Sequence, residues 1–195
     1  MDHHGVVVLT APSGAGKTTI ARRVQEAIPS LQFSVSATTR APRSHEQDGV
    51  DYYFISQEAF QQHIEADGFI EYEEVYPGLL YGTLISEIKR IGASNPILLD
   101  IDVQGAMRVK ELLGAGALTL FIKPPSLNVL RERLAGRGTE SDAWLDIRTQ
   151  KALKELEYAS RCDQIIVNDD LETAVAETLA AIGPFLRAHN AVAPQ

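Results

Sequence analysis

The run Val6–Val24, VVVLTAPSGAGKTTIARRV, constrains the fold more than any other stretch of the chain. Val6–Thr10 is short, apolar and rich in β-branched residues, as a buried strand is. Thr18–Ala27 follows with helical spacing, Ile20 and Val24 lying four apart, and Pro29 and Ser30 close it. Between them, Ser13–Thr18 reads SGAGKT. Gly14 and Gly16 carry no Cβ, so successive backbone N–H groups can curl around an anion. The positive end of the helix faces the same point. Lys17 has the reach for terminal phosphates, and the Thr18 hydroxyl suits magnesium. The usual pattern for such a loop opens with glycine, and Ala11 stands in that place. A methyl there requires a negative φ, or free space beside it.

The rest of the chain continues the alternation of strand and helix. Gln32–Ser36 is a second strand candidate, and Ala37 to Tyr53 turns polar and basic. Ser56–Ala66 predicts a helix capped by Ser56, with Phe60 and Ile64 on one face. Phe69–Val75 and Leu80–Thr83 read as strands around the Pro77-Gly78 turn. Ser36–Thr83 is therefore expected to form a small mixed insert. Helices are expected at Leu84–Ile91, Ala106–Leu113, Leu127–Ala135 and Ala143–Ala159. A closing helix at Leu171–Ala188 is expected to be interrupted near Gly183-Pro184. Pro96–Ile101 (PILLDI), Ala117–Ile122 and Gln164–Val167 read as core strands. The first of these is nearly all apolar and ends in acid, the pattern of a central parallel strand with a carboxylate at its carboxyl end. The fold class is α/β, a doubly wound parallel sheet with ligands at the carboxyl ends of its strands.

Composition removes several functions. With 195 residues, 45% hydrophobic and 23% charged, the chain suits one globular domain with insertions. A net charge of -8 argues against a protein that grips a nucleic-acid backbone. Cys162 is the only cysteine, so no intrachain disulfide forms, which fits a reducing compartment. The start, MDHHG, has no basic leader, and no apolar run spans a bilayer. A cytoplasmic protein without membrane or nucleic-acid partners is expected, as monomer or homo-oligomer. His3 and His4 read as a solvated tail rather than a metal site.

The stretch FSVSATTRAPRSHEQDGVDYYF, Phe33–Phe54, places Arg40 and Arg43 three apart among hydroxyls and a tyrosine. Two such guanidiniums form a natural clamp for a phosphate. Thr38-Thr39-Arg40, Arg43, Glu46, Gly49, Tyr52 and Phe54 resemble the guanylate kinase signature in residue type and spacing. The resemblance continues in order through FIEYEEV, YGT, LLDIDVQGA, PPS, RLAGRGTE and IVNDDL, covering nearly the whole chain.

This resemblance implies a P-loop kinase core with a GMP-binding insert and a helical lid. The boundaries would be core 1–35, insert 36–83, core 84–125, lid 126–158, and core with C-terminal helix 159–195. It implies transfer of the γ-phosphoryl of ATP to GMP or dGMP with Mg2+, in purine nucleotide recycling. The ATP side would comprise Ser13, Gly14, Ala15, Gly16, Lys17, Thr18, Thr19 and Arg133, with Asn168 and Asp169 near the base. The GMP phosphate would meet Arg40, Arg43, Tyr52 and Tyr81. The guanine would meet Ser36, Glu71 and Thr83, with Asp100 nearby. Lys17, Arg43, Arg137 and Arg148 would carry the transferring group. Thr18 would ligate Mg2+, and Asp102 would hold it through water, leaving Asp100 on the substrate side. Unlike the family pattern, EVYPGLLYGT is one residue longer than the common spacing, so Tyr81 and Thr83 are assigned by anchoring YGT from its C-terminal side. Two other classes compete. A non-catalytic scaffold module of this type typically loses phosphate-loop or lid residues, yet Lys17, Thr18, Arg137 and Arg148 are present. A kinase for a ribose phosphate would not need Ser36, Glu71 and Thr83 together.

Overall fold

A computed structural model describes residues 5–44, 46–135 and 142–190. Val6–Thr10 forms β1, with every residue buried. A strand covered on both faces has no side for polar residues, hence its continuous apolar run. It lies in the middle of a five-stranded sheet in the order β2 (Gln32–Phe33), β7 (Ile97–Asp100), β1, β8 (Ala117–Lys123), β9 (Gln164–Val167). All neighbours are parallel, with Val6 level with Ile97 on one side and Ala117 on the other. The chain leaves β1 toward β2 on one side and passes from β7 to β8 on the other. At such a reversal a crevice opens at the carboxyl ends of the strands.

Successive side chains of β1 point to opposite faces, so the core has two layers. Val7, Leu9, Leu98, Leu120 and Ile122 pack with α1 (Lys17–Ala27) and α7 (Leu171–Asn190) through Ile20, Val24 and Ile182. Val6, Val8, Ile97 and Leu99 pack with α3 (Ile85–Gly92) and α4 (Val103–Leu113) through Ile88, Ile91 and Val109. Each such side chain stabilises by about 1.5–3 kcal/mol when fully buried. Together they fix the ends of β1 and β7.

A second sheet is built from residues that lie between β2 and β7 in sequence. Its order is β4 (Tyr53–Phe54), β3 (Ala37–Thr38), β6 (Leu79–Leu84), β5 (Phe69–Tyr76). The helix α2 (Gln57–Glu65) packs on it, with Phe60 stacked on Phe69 at 4.4 Å between ring centroids. Ser56 caps α2 as expected, its hydroxyl accepting from the Ala59 N–H at 3.1 Å. The helices α5 (Leu127–Ala135) and α6 (Asp142–Leu156) pack together through Leu130, Leu134 and Ala152. Arg137 lies outside the described residues, as do His3 and His4. Among the described residues no helix is long and apolar enough to cross a membrane.

Four expectations are corrected. The strand expected over Gln32–Ser36 is only Gln32–Phe33, because after one more bond, Ser34 N–H to Leu98 O at 3.0 Å, the chain departs for the second sheet. The helix expected from Ala106 begins at Val103, because the Asp102 carboxylate accepts from the Gly105 N–H at 2.8 Å and caps it. The helix α6 stops at Leu156, short of Ala159. The closing helix is not interrupted and runs through Pro184. Proline removes one helical bond and costs roughly 3 kcal/mol. Pro184 and Ala180, whose carbonyl loses its donor, are both exposed, so water can take the bond. The neighbouring Ile182 and Leu186 stay buried in the core.

Candidate active site

The turn from β1 into α1 forms the first wall of the site. Gly14 and Gly16 have φ of 86° and 93°, a region that favours glycine. A Cβ at Gly16 would also collide with Asn168 Nδ2. That amide donates to Ala15 O at 2.7 Å, and Asn168 O accepts from Arg133 Nη2 at 3.1 Å. Buried Asn168 therefore ties the loop to the end of β9 and to α5. Lys17 Nζ donates to Ile101 O at 2.9 Å and pairs with the Asp100 carboxylate. Thr18 Oγ1 is 3.4 Å from the other Asp100 oxygen. The Ala11 question is answered directly. Asp67 is the only described non-glycine residue with positive φ, and the Ala11 methyl is absorbed in the core layer of Leu9 and Ile20.

The second sheet supplies the facing wall. Arg40 is gripped by Glu46 through two bonds of 2.8 and 2.9 Å, and its Nε donates to Tyr81 Oη at 3.2 Å. Its guanidinium also stands 5.4 Å from the Tyr52 ring centroid. The Arg43 backbone N–H donates to the same carboxylate at 2.7 Å, while its side chain is exposed. The hydrogen bond from Arg40, then that from the Arg43 N–H, lowers the Glu46 carboxyl to about 2, and Arg40 is raised in turn. The Arg40 guanidinium is thus held by two bonds, and the exposed Arg43 guanidinium by a looser ion pair of 3.8 Å with the same carboxylate.

Deeper in this wall, Glu71 is 7% exposed and accepts from Thr83 Oγ1 at 2.5 Å. These residues are level with each other on β5 and β6. Burial pushes the Glu71 carboxyl up to about 7, the Thr83 hydroxyl opposing it. Burial and then a hydrogen bond with Asp102 also push Glu73 up. Both walls open into one cleft of ≈ 370 Å³. Ser13 to Thr19 line one side, Ser36, Tyr52, Glu71 and Tyr81 the other, and Asp100 and Asp102 lie between.

A family model described as guanylate kinase matches residues 3–183. The chain is 56% identical over 186 residues to a guanylate kinase of Salinibacter ruber, covering 95% of this chain and 99% of that protein. It is 50% identical over 182 residues to a guanylate kinase of Chlorobium chlorochromatii, covering 93% of this chain and 95% of that one. The chain belongs to the guanylate kinase family. Among solved structures, guanylate kinase from Anaplasma phagocytophilum superimposes with a TM-score of 0.73 at 32% identity, covering 96% of this chain and 87% of that one. A shikimate kinase from Bacteroides thetaiotaomicron superimposes with a TM-score of 0.51 at 16% identity, covering 92% and 98%, a likeness of fold alone.

Within this guanylate kinase fold, several expected site residues do not line the cleft. Thr83 is fully buried behind Glu71. Asn168 is turned onto the phosphate loop, and Asp169 beside it is exposed. Arg133 reaches the Asn168 carbonyl, and Arg148 is half-buried on α6. The two aspartates make different contacts. Asp102 caps α4 and lies beside Glu73, whereas Asp100 stands against Lys17 and Thr18. The extra residue of EVYPGLLYGT is accommodated by a bulge on β5 between Glu74 and Tyr76, so Glu73 still faces Tyr81 and Glu71 still faces Thr83.

Residue-by-residue reading missed Lys151, Glu155 and Gly105. Lys151 and Glu155 line the cleft from α6, with Glu155 beside Ser13 of the phosphate loop. Their signal was the spacing Arg148, Lys151, Glu155, three then four residues, which places all three on one helix face. Burial pushes the Glu155 carboxyl up to about 7. Glu46 was read as part of the motif without its job of gripping Arg40.

Proposed function

We propose that this chain transfers the γ-phosphoryl group of ATP to GMP or dGMP, giving ADP and GDP or dGDP. One observation carries the reading: a phosphate loop and the buried Glu71, braced by Thr83, face each other across a single cleft. Ionised Glu71 accepts from guanine N1–H and its exocyclic amine. Adenine lacks the first donor and places its amine elsewhere, so it leaves the buried carboxylate unpaired. Ser36 completes the base contact, and Thr83 braces the Glu71 carboxylate from behind. Arg40, Arg43, Tyr52 and Tyr81 bind the acceptor phosphate, Arg40 preset by Glu46 and the more exposed Arg43 exchanging its looser ion pair with Glu46 for the transferring group. Ser13 to Thr19 cradle the ATP phosphates with backbone N–H groups, while Asn168 and Arg133 hold the loop in place. Asp169 stands at the exposed edge where the adenine would lie.

The donor set fits magnesium. Thr18 Oγ1 and Asp100 are hard oxygen ligands at the loop, and one buried Asp100 oxygen has no hydrogen bond beyond its ion pair with Lys17. Bound there, Mg2+ neutralises charge on the donor phosphates. Asp102 lines the same cleft while capping α4. The pair α5–α6 serves as a lid over the donor side, bringing Arg148 and Lys151, with Arg137 on its connecting segment, toward the transferring group and excluding water. The solitary cysteine fits a cytoplasmic role in purine nucleotide recycling.

The test is ADP release from ATP with GMP, dGMP, AMP, dTMP and ribose phosphates as acceptors. GMP should be used best, with dGMP close behind. Equal or better use of AMP, dTMP or a ribose phosphate overturns the guanine assignment.

A further inference from the structure

We infer that Gly105, a residue of α4 in the parallel-sheet core, sets acceptor specificity by seating the Glu71 carboxylate. This rests on the reading of Glu71 as the group that recognises guanine. Gly105 is buried in the first turn of α4, where its N–H is taken by Asp102. It has no unusual φ, so backbone freedom does not explain a glycine there. Close approach does. A Cβ at this position would lie 2.6 Å from Glu71 Oε2, 3.1 Å from its Cδ and 3.3 Å from its Cγ. The Glu71 side chain rests on the bare face of α4 along much of its length.

The carboxylate cannot yield without losing its place. Its other oxygen is bonded to Thr83 Oγ1 at 2.5 Å, and the residue is 7% exposed. To restore an ordinary contact of 3.4 Å with an added methyl, Oε2 must retreat by roughly 0.8 Å. That breaks the bond to Thr83 or swings the carboxylate away from the base. Room exists for such a swing. Glu71 and Gly105 also border a second cavity, of ≈ 480 Å³, formed by the insert and α4 with Gln104 and Arg108 on its wall. A methyl at position 105 therefore displaces the base-reading group while leaving the fold a way to accommodate it. Gly105 acts as a positioning residue. The acceptor insert supplies the carboxylate, and the core supplies the surface that aims it.

The experiment compares Gly105→Ala, Glu71→Ala and the double variant, measuring KM and kcat for GMP, KM for ATP, the GMP-over-AMP preference, and melting temperature. A group misplaced by most of an ångström should raise KM for GMP at least tenfold and shrink the preference over AMP, with KM for ATP within about twofold. With Glu71 already truncated, the three atoms nearest the added methyl are gone. The double variant should then match Glu71→Ala in kcat/KM and melt higher, because alanine favours a helix over glycine. If Gly105→Ala keeps KM for GMP within twofold while Glu71→Ala loses it, the role of Gly105 is wrong and the guanine reading stands. An equal further loss from the methyl in both backgrounds likewise assigns Gly105 a merely structural role. If Glu71→Ala itself leaves guanine preference intact, the underlying reading fails and the inference with it. Should Gly105→Ala not fold, the double variant decides: folding with a raised melting temperature supports the Glu71 contact, and failure to fold refutes it.

Discussion

The pH dependence of GMP use follows from the position of Glu71. Burial pushes this carboxyl up to about 7. A carboxyl that accepts two hydrogen bonds from guanine works only when ionised. Acceptor binding to the free enzyme then scales with the carboxylate fraction: about 0.9 at pH 8, about 0.5 at pH 7 and about 0.1 at pH 6. With ATP and magnesium saturating, kcat/KM for GMP should therefore fall about tenfold from pH 8 to pH 6. The second ionisation of the GMP phosphate lies near pH 6 and adds its own slope. Glu71→Gln carries that slope but not the carboxyl, so it is the reference. The wild-type advantage over this variant should shrink about tenfold between pH 8 and pH 6 in a coupled assay of ADP release. Parallel profiles for the two proteins would refute the reasoning. Stability runs the other way. The folded-state value lies above the ordinary 4.5, so the contribution is intact below that pH and is lost as pH rises through about 7. Ionising the buried carboxyl costs about 3 kcal/mol. Unliganded Glu71→Gln should melt above wild type at pH 8, and the difference should shrink as pH falls and close below about 4.5.

Three further outcomes are expected. Glu46→Gln removes the charge that holds Arg40, and KM for GMP should rise about tenfold with KM for ATP unchanged, read from initial rates. Asn168→Ala leaves the Ala15 carbonyl without its donor; it should cost about 1–3 kcal/mol by urea unfolding and raise KM for ATP rather than for GMP. Ala11→Gly deletes a core methyl and adds backbone freedom, so it should lower stability by about 1 kcal/mol while kcat stays within about twofold.

The elements that were legible in the sequence are those whose cause is local. The apolar run of β1, the Ser56 cap and the glycines of the phosphate loop each announce a backbone state through their own side chains. The family resemblance pointed to Arg40, Glu71 and Lys17 together, although they stand in the loop after β3, on β5 and at the start of α1. What stayed hidden depends on distant partners. Asp100 and Asp102 are two residues apart and alike in type. The cap at Gly105 and the approach of Lys17 and Thr18 tell them apart. Asn168 looked like an edge residue because its partner, Ala15, is 153 positions away. Pro184 announced a break that core packing on either side overrides. Gly105 carried no signal of strain, since the reason for it is the side chain of another element.

The most direct test of the account follows the phosphoryl group itself. The protein is incubated with magnesium, GMP and ATP radiolabelled in its γ-phosphoryl group, and the products are separated. The account predicts label in the β-phosphoryl of GDP, in step with ADP formed, and little label in inorganic phosphate. Label released as inorganic phosphate at the same rate with and without GMP, or none transferred to GMP while another acceptor is labelled, would contradict it.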